Sequence, residues 1–145
     1  MLPPEDFRSL IPHAGAMCLL ERIVDWDESG MTMATATHAS PANPLRSRNR
    51  LRAIHLCEYG AQAMAVHGGL HERARGGVPR PGMLVSLREV VLSIDSIESL
   101  AGELLVEVRR LEGGAAGLQY TFRVTHRGAE LARGRAAVIE ESPGP

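Results

Sequence analysis

The chain has 145 residues, 44% of them apolar, and its formal net charge is −1. This length and apolar content predict a single domain, residues 1–145, with a sizeable core. The near-neutral charge and an aromatic content of only 3% argue against nucleic-acid binding. No apolar run reaches 18 residues, which argues against a transmembrane helix.

Two features predict a cytoplasmic protein. The residues after Met1 do not follow the basic-then-apolar order of a signal peptide. Cys18 and Cys57 lie within apolar runs, which is typical of reduced core cysteines.

Six segments are predicted as strands from their composition or their alternation of apolar and polar residues. Tyr120, Phe122 and Val124 alternate with polar neighbours and are expected to face the core. Glu28–Gly30 and Arg127–Gly128 are predicted turns. The predicted strands are 18–27, 31–38, 84–95, 102–112, 117–126 and 130–140.

One long helix is predicted over 52–68, with Gly68 and Gly69 as its stop. Its apolar stripe at helical spacing comprises Ile54, Cys57, Ala61, Met64 and Ala65. Two strands, a helix and four strands in this order predict an α+β domain in which an antiparallel sheet wraps one long central helix.

Glu58 and Gln62 lie one helical turn apart, beside this apolar stripe. A carboxylate in such surroundings requires a partner, a shifted pKa or a function. Glu58 is therefore the first candidate for a functional residue.

Two motifs resemble one enzyme family. Residues 10–24, LIPHAGAMCLLERIV, resemble the opening of the hotdog-fold 3-hydroxyacyl-carrier-protein dehydratases, and Glu58-Tyr-Gly-Ala-Gln62 resembles their helix motif. The helix end, Ala-Met-Ala-Val-His67-Gly, is similar to the aryl-polyene-type branch. The resemblance implies a hotdog fold and removal of water from a 3-hydroxyacyl thioester to give the trans-2-enoyl thioester.

The same resemblance implies the partners of the protein. The acyl group would be attached to phosphopantetheine, on an acyl carrier protein or coenzyme A, in fatty-acid or polyene biosynthesis. The chain would form a homodimer or a higher even oligomer with sites at the subunit interface. No metal or redox cofactor is implied, because proton transfer alone suffices for the reaction.

The resemblance also implies roles for individual residues. Glu58 falls at the family's catalytic acid, whereas the loop that contains the partner histidine in the housekeeping enzymes has Asn43 or Pro44 near that position. His38, His13 or His55 would take the place of that histidine beside Glu58, and the first two are the catalytic candidates. Four further residues are candidates for substrate binding: Gln62, His55, Arg46 and Arg48.

Each of these substrate-binding assignments has an alternative. Gln62 would orient Glu58 or a loop, or act as a plain structural amide, and His55 would flank the start of the helix. Arg46 and Arg48 would contact a phosphate or an acidic carrier protein, or would simply be solvated.

Other functions also fit the sequence. The enzyme alternative is an acyl-thioester hydrolase, and the other is a non-catalytic acyl-binding or assembly subunit. His67 and His71 have the spacing of a metal-binding pair, but Gly68-Gly69 is expected to break the helix between them, and no further Cys or His cluster completes a site.

Overall fold

The computed structural model describes residues 7–8, 17–77, 82–111 and 118–140. Over these residues the chain forms one helix, α1 (Leu56–Ala74), two short 3-10 turns (Thr37–Ala39 and Ala53–His55) and six strands. The strands are β1 (Arg22–Trp26), β2 (Gly30–Thr35), β3 (Gly82–Leu92), β4 (Leu104–Leu111), β5 (Leu118–His126) and β6 (Ala129–Glu140).

The six strands form one sheet in the order β1-β2-β4-β5-β6-β3, and every neighbouring pair is antiparallel. Helix α1 packs on β2, β4, β5 and β6. The predicted α+β architecture, a sheet around one long helix, is therefore confirmed. Among the residues described, no helix is both long and apolar enough to cross a membrane.

The inward face of the sheet supplies most of the core. Tyr120, Phe122 and Val124 on β5 are at most 2% exposed, as their alternation predicted. Val106 and Val108 on the neighbouring strand β4 are fully buried. The outward face is formed by the intervening residues of the same strands, because successive side chains point to opposite faces.

Two details of the predicted helix are wrong. The helix does not stop at Gly68-Gly69 but continues to Ala74, and Gly69 and Leu70 are buried. Tertiary packing outweighs the weak helix propensity of the glycine pair.

The predicted apolar stripe is also rotated relative to the observed one. Ile54 is 51% exposed, and Ala61 and Ala65 are only half-buried. The helix is buried instead along the line of residues that faces the sheet: Leu56, Tyr59, Gly60, Ala63, Val66, His67 and Leu70. A β-carbon at Gly60 would lie 2.8 Å from the Phe122 ring, so the absence of a side chain lets helix and sheet approach closely.

Several strand ends also differ from prediction. Residues 18–21 precede β1, and His38 lies in the 3-10 turn after β2 rather than in the strand. The predicted turn at Arg127–Gly128 is confirmed, and both residues have positive φ (50° and 83°). Such a pair matches the twist of an antiparallel hairpin.

Candidate active site

Glu58 lies in the first turn of α1, on the face of the helix that the sheet does not cover. Its side chain is half-buried, as are those of Ala61 and Ala65 on the following turns. The carboxylate forms no hydrogen bond or ion pair with the described part of the chain. Glu58 is thus a half-buried carboxylate without a hydrogen-bond partner among the described residues.

Gln62, one turn after Glu58, anchors the segment before β1. Its Nε2 donates to the Met17 carbonyl at 2.7 Å, and its Oε1 accepts from the Leu19 N–H at 2.9 Å. The side chain is 2% exposed. Both ends of the amide are therefore used on this segment, so the geometry matches the predicted role of orienting a loop rather than Glu58.

Tyr59 fixes the loop that precedes the helix. The Asn43 Nδ2 donates to the Tyr59 hydroxyl at 3.0 Å and to the Thr37 carbonyl at 3.0 Å. The Tyr59 hydroxyl lies 2.9 Å from the Thr37 Oγ1, which in turn donates to the Leu19 carbonyl. Burial raises the pKa of Tyr59, so its hydroxyl stays protonated and able to donate.

Sequence reasoning did not find this network. Asn43, near the position of the family's loop histidine, is buried, and its amide is engaged on both sides: Nδ2 donates to the loop and to the helix, and Oδ1 accepts from the Leu45 N–H at 2.9 Å. Asn before Pro44 indicates a turn, but a tyrosine partner 16 residues away leaves no local signal in the sequence.

His38 is fully buried. Its Nε2 lies 2.8 Å from the Leu100 carbonyl. A carbonyl can only accept, so Nε2 carries the proton and Nδ1 keeps its lone pair. The Nδ1 atom is buried and has no hydrogen-bond partner. Burial lowers the pKa of His38, which favours the neutral ring.

The remaining described candidates lie in the segment before the helix. His55 is half-buried at the end of a 3-10 turn, and His13 lies outside the described residues. Arg46 turns inward and donates to the His38 carbonyl at 3.3 Å. Arg48 is exposed at the tip of the loop, with φ of 52°. The arginines therefore do not converge on one point.

His67 and His71 do share a face of α1, because the helix continues through the glycine pair. The ring of His67 is nevertheless occupied: its Nδ1 lies 2.8 Å from the Tyr120 hydroxyl and its Nε2 lies 2.8 Å from the Asp27 carbonyl. Nε2 must donate to that carbonyl, so Nδ1 accepts from Tyr120. The described residues contain no group of three His, Cys, Asp or Glu side chains that could bind a metal ion.

The chemistry available at this end of the helix is proton transfer. Glu58 offers carboxylate oxygens without a partner, and His38 offers one lone pair on a neutral ring. General acid–base catalysis requires groups of this kind close to the bonds that change.

The family model for ApeP-like proteins, described as ApeP dehydratase, matches residues 5–143. The chain belongs to this family. The predicted resemblance to the aryl-polyene-type branch is thereby confirmed, and with it the prediction of a 3-hydroxyacyl-thioester dehydratase. Comparison with curated proteins finds no significant match.

Solved structures support the fold of this family member. The dehydratase heterocomplex ApeI:P from Xenorhabdus doucetiae superposes with a TM-score of 0.84 at 19% identity, covering 98% of this chain and 93% of that chain. A mutant thioesterase from Pseudomonas aeruginosa gives 0.65 at 12% identity, covering 97% and 96%. Zebrafish thioesterase superfamily member 2 gives 0.61 at 13%, covering 96% and 95%. These matches confirm the hotdog fold.

Proposed function

We propose that Glu58 is the acid–base group of the dehydratase. The observation that supports this assignment is that Glu58 has no partner among the described residues, whereas the neighbouring polar side chains Tyr59 and Gln62 are fully engaged. A half-buried carboxylate without a structural partner is available to a substrate.

The reaction requires two proton transfers. A base removes a proton from C2 of the acyl thioester, the C3–O bond breaks, and a proton returned to the departing hydroxyl completes the water molecule. One carboxylate can perform both steps in turn when the proton and the hydroxyl leave from the same side of the chain. No redox step or external proton is needed for this balance.

His38 is the second candidate for proton transfer. Its unpartnered Nδ1 lone pair favours the role of a base, and its contact with Leu100 fixes the tautomer that such a base needs. Its complete burial in the single chain instead favours a structural role that supports the 37–46 loop. His13 and His55 remain candidates with no comparable observation in their favour.

Turnover assays resolved by mass would test this proposal. The purified protein would be incubated with 3-hydroxyacyl, 2-enoyl and plain acyl thioesters, on both an acyl carrier protein and coenzyme A. Loss of about 18 mass units, one water molecule, indicates dehydration. Release of the free acid indicates a hydrolase, and retention of unchanged substrate indicates a binding subunit.

Variants would then separate the candidate residues. Glu58→Gln is expected to abolish most of the dehydration, and His38→Asn to abolish it only if Nδ1 takes part. Full activity of Glu58→Gln, with activity lost in a histidine variant, would contradict the assignment of Glu58.

The substrate is proposed to be a 3-hydroxyacyl group on phosphopantetheine. Arg48 is exposed and forms no ion pair with described residues, so it remains available for a phosphate or an acidic carrier protein. Arg46 is a weaker candidate because one guanidinium nitrogen already binds the His38 carbonyl.

The proposed assembly is a dimer formed along the edge strand β3. This strand has 11 residues and exposes Leu87, Val91 and Leu92, each 38–41% exposed. A cavity of about 510 Å³ beside its end is lined by Leu92 and by Ile54, which lies one turn before Glu58. An exposed apolar edge of this length requires cover, and that cover would lie close to the proposed site.

The other edge, β1, is less suited to pairing. It has five residues, is interrupted by a bulge at Ile23–Asp25, and carries the Arg22–Glu103 ion pair. Because the similar Xenorhabdus structure is a heterocomplex, light scattering on this chain alone should be compared with co-expression beside a second dehydratase subunit. A stable monomer of 15.7 kDa, both alone and beside such a subunit, would contradict the proposed assembly.

A further inference from the structure

The outward face of the sheet, opposite α1, carries a row of arginines. Arg109 on β4 is opposite Thr121, Thr121 is opposite Arg135 on β6, and Arg135 is opposite Arg88 on β3. Like charges that are directly opposite on neighbouring strands repel each other. The opposed pair Arg88 and Arg135 is therefore expected to lower the stability of the sheet rather than to raise it.

Most arginines of this face have a carboxylate partner, but the directly opposed pair does not. Arg123 and Arg133 share Glu130 at 3.1 and 3.8 Å, and Arg109 lies 3.9 Å from Glu107. In the part of the chain that the structure describes, Arg88 and Arg135 form no ion pair and no side-chain hydrogen bond.

A small cavity lies between these two unpaired arginines. Its volume is about 80 Å³, and Ser86 and Gln119 contribute neutral hydrogen-bonding groups to its wall. Two guanidinium groups around a small polar cavity are suited to the oxygens of a tetrahedral anion, which they can bind with several N–H groups.

The backbone of β3 departs from regular strand geometry beside this cavity. Glu89 and Val90 lie opposite the single residue Gly134, which is a β-bulge, and Glu89 has φ of 55°. Gly134 admits the bulge because a β-carbon there would lie 2.7 Å from Phe122 and 3.2 Å from Val90. The bulge brings the Glu89 carboxylate to the cavity wall, where it would oppose a bound anion.

We propose that Arg88 and Arg135 form a binding site for a phosphate group, free or as a phosphate monoester, on the outward face of the sheet. The site is separate from Glu58 and does not depend on the catalytic assignment. Ser86 and Gln119 complete its donor set, and Glu89 limits its affinity.

Calorimetric titration with sodium phosphate, against sodium chloride of equal ionic strength, tests the site. Saturable binding is expected for the wild type, and about tenfold weaker binding for Arg88→Gln and for Arg135→Gln. Glu89→Gln should strengthen binding severalfold. Arg127→Gln is the matched control, because it removes one exposed arginine from the turn between β5 and β6 and should leave the affinity unchanged.

A second titration with adenosine 3′,5′-bisphosphate distinguishes the two sources of phosphate. Tighter binding than inorganic phosphate, with the same loss in the Arg88 and Arg135 variants, identifies a monoester, and equal or weaker binding identifies the free ion. The proposal is overturned if binding is not saturable, or if all four variants bind phosphate as the wild type does. It is also overturned if Glu89→Gln weakens binding.

Discussion

The polar side chains on the two sides of helix α1 differ in whether they have hydrogen-bond partners. On the side that faces the sheet and the loops, Tyr59, Gln62 and His67 each have at least two hydrogen-bond partners. On the uncovered side, Glu58 has none among the described residues. Burying a polar group without partners is costly, so the first side stabilises the fold, and Glu58 is available for chemistry.

The strongest test of this contrast is Glu58→Gln. The shape is kept while titration is lost, so kcat for dehydration should fall by roughly 10²–10⁴-fold. Because no internal partner is lost, the free energy of unfolding should change by less than about 0.5 kcal/mol. The turnover assay measures the change in kcat, and a denaturant melt measures the change in the free energy of unfolding. A large loss of stability would mean that Glu58 has a structural partner after all.

Gln62→Ala should show the reverse pattern. The change leaves the Met17 carbonyl and the Leu19 N–H without their partner, and each unpaired buried group costs about 1–3 kcal/mol. We expect a loss of about 2–4 kcal/mol in urea unfolding, and a smaller loss of kcat than for Glu58→Gln. Gln62→Glu keeps the acceptor for the Leu19 N–H but sets a buried carboxylate oxygen against the Met17 carbonyl, so it should not restore the stability that Gln62→Ala loses.

The sequence predicted the fold far better than it predicted this contrast. The order of strands and helix follows from local periodicity, and Glu58 follows from a motif. The partners of Tyr59 and His67 lie 16 to 53 residues away along the chain, so no local pattern indicates them. The predicted apolar stripe is only partly correct: Cys57 and Met64 are buried, whereas Ile54 is exposed. Ala and Gly pack equally well on either side of a helix, so the contact with the sheet decides which side is buried.

Two glycines of α1 test where the helix touches the sheet. Gly60→Ala would bring a β-carbon to 2.8 Å from Phe122, whereas at Gly68 the nearest atom, the Tyr120 hydroxyl, is 3.7 Å away. Gly60→Ala should destabilise the protein by about 1–3 kcal/mol. Gly68→Ala should be neutral or stabilising by up to about 1 kcal/mol, because alanine favours the helix. Thermal melts that show equal effects would contradict the packing.

The buried side should also give the protein a pH-dependent stability. Burial lowers the pKa of His67, and nearby His71 and Arg110 lower it further. The stability is then complete above about pH 6.5, the pKa of an unfolded histidine, and is lost as the pH falls towards the lower pKa of the folded state. The slope for one such group is at most about 1.4 kcal/mol per pH unit.

Urea melts between about pH 5 and 7, the range in which histidine titrates, would measure this slope. His38 and His71 also have lowered pKa values and add to it. His67→Gln should therefore reduce the slope without removing it, even if the variant is less stable at every pH. An unchanged slope would mean that folding does not shift the pKa of His67, and would contradict the lowered pKa.

The smallest expected effect concerns the loop before the uncovered side of the helix. Arg48 and Arg127 are both exposed and both have φ near 50°, so Arg48→Ser and Arg127→Ser remove the same charge from the same backbone conformation. If Arg48 attracts the phosphate or acidic surface of the carrier, its loss should raise KM by about threefold or less and flatten the dependence of KM on salt. The value of kcat should not change, because the contact stabilises the bound substrate and the transition state by the same free energy. Identical KM values for the two variants across salt concentrations would instead show that Arg48 is a solvated loop residue. Binding of the carrier would then depend on the uncovered helix face and the β3 edge alone.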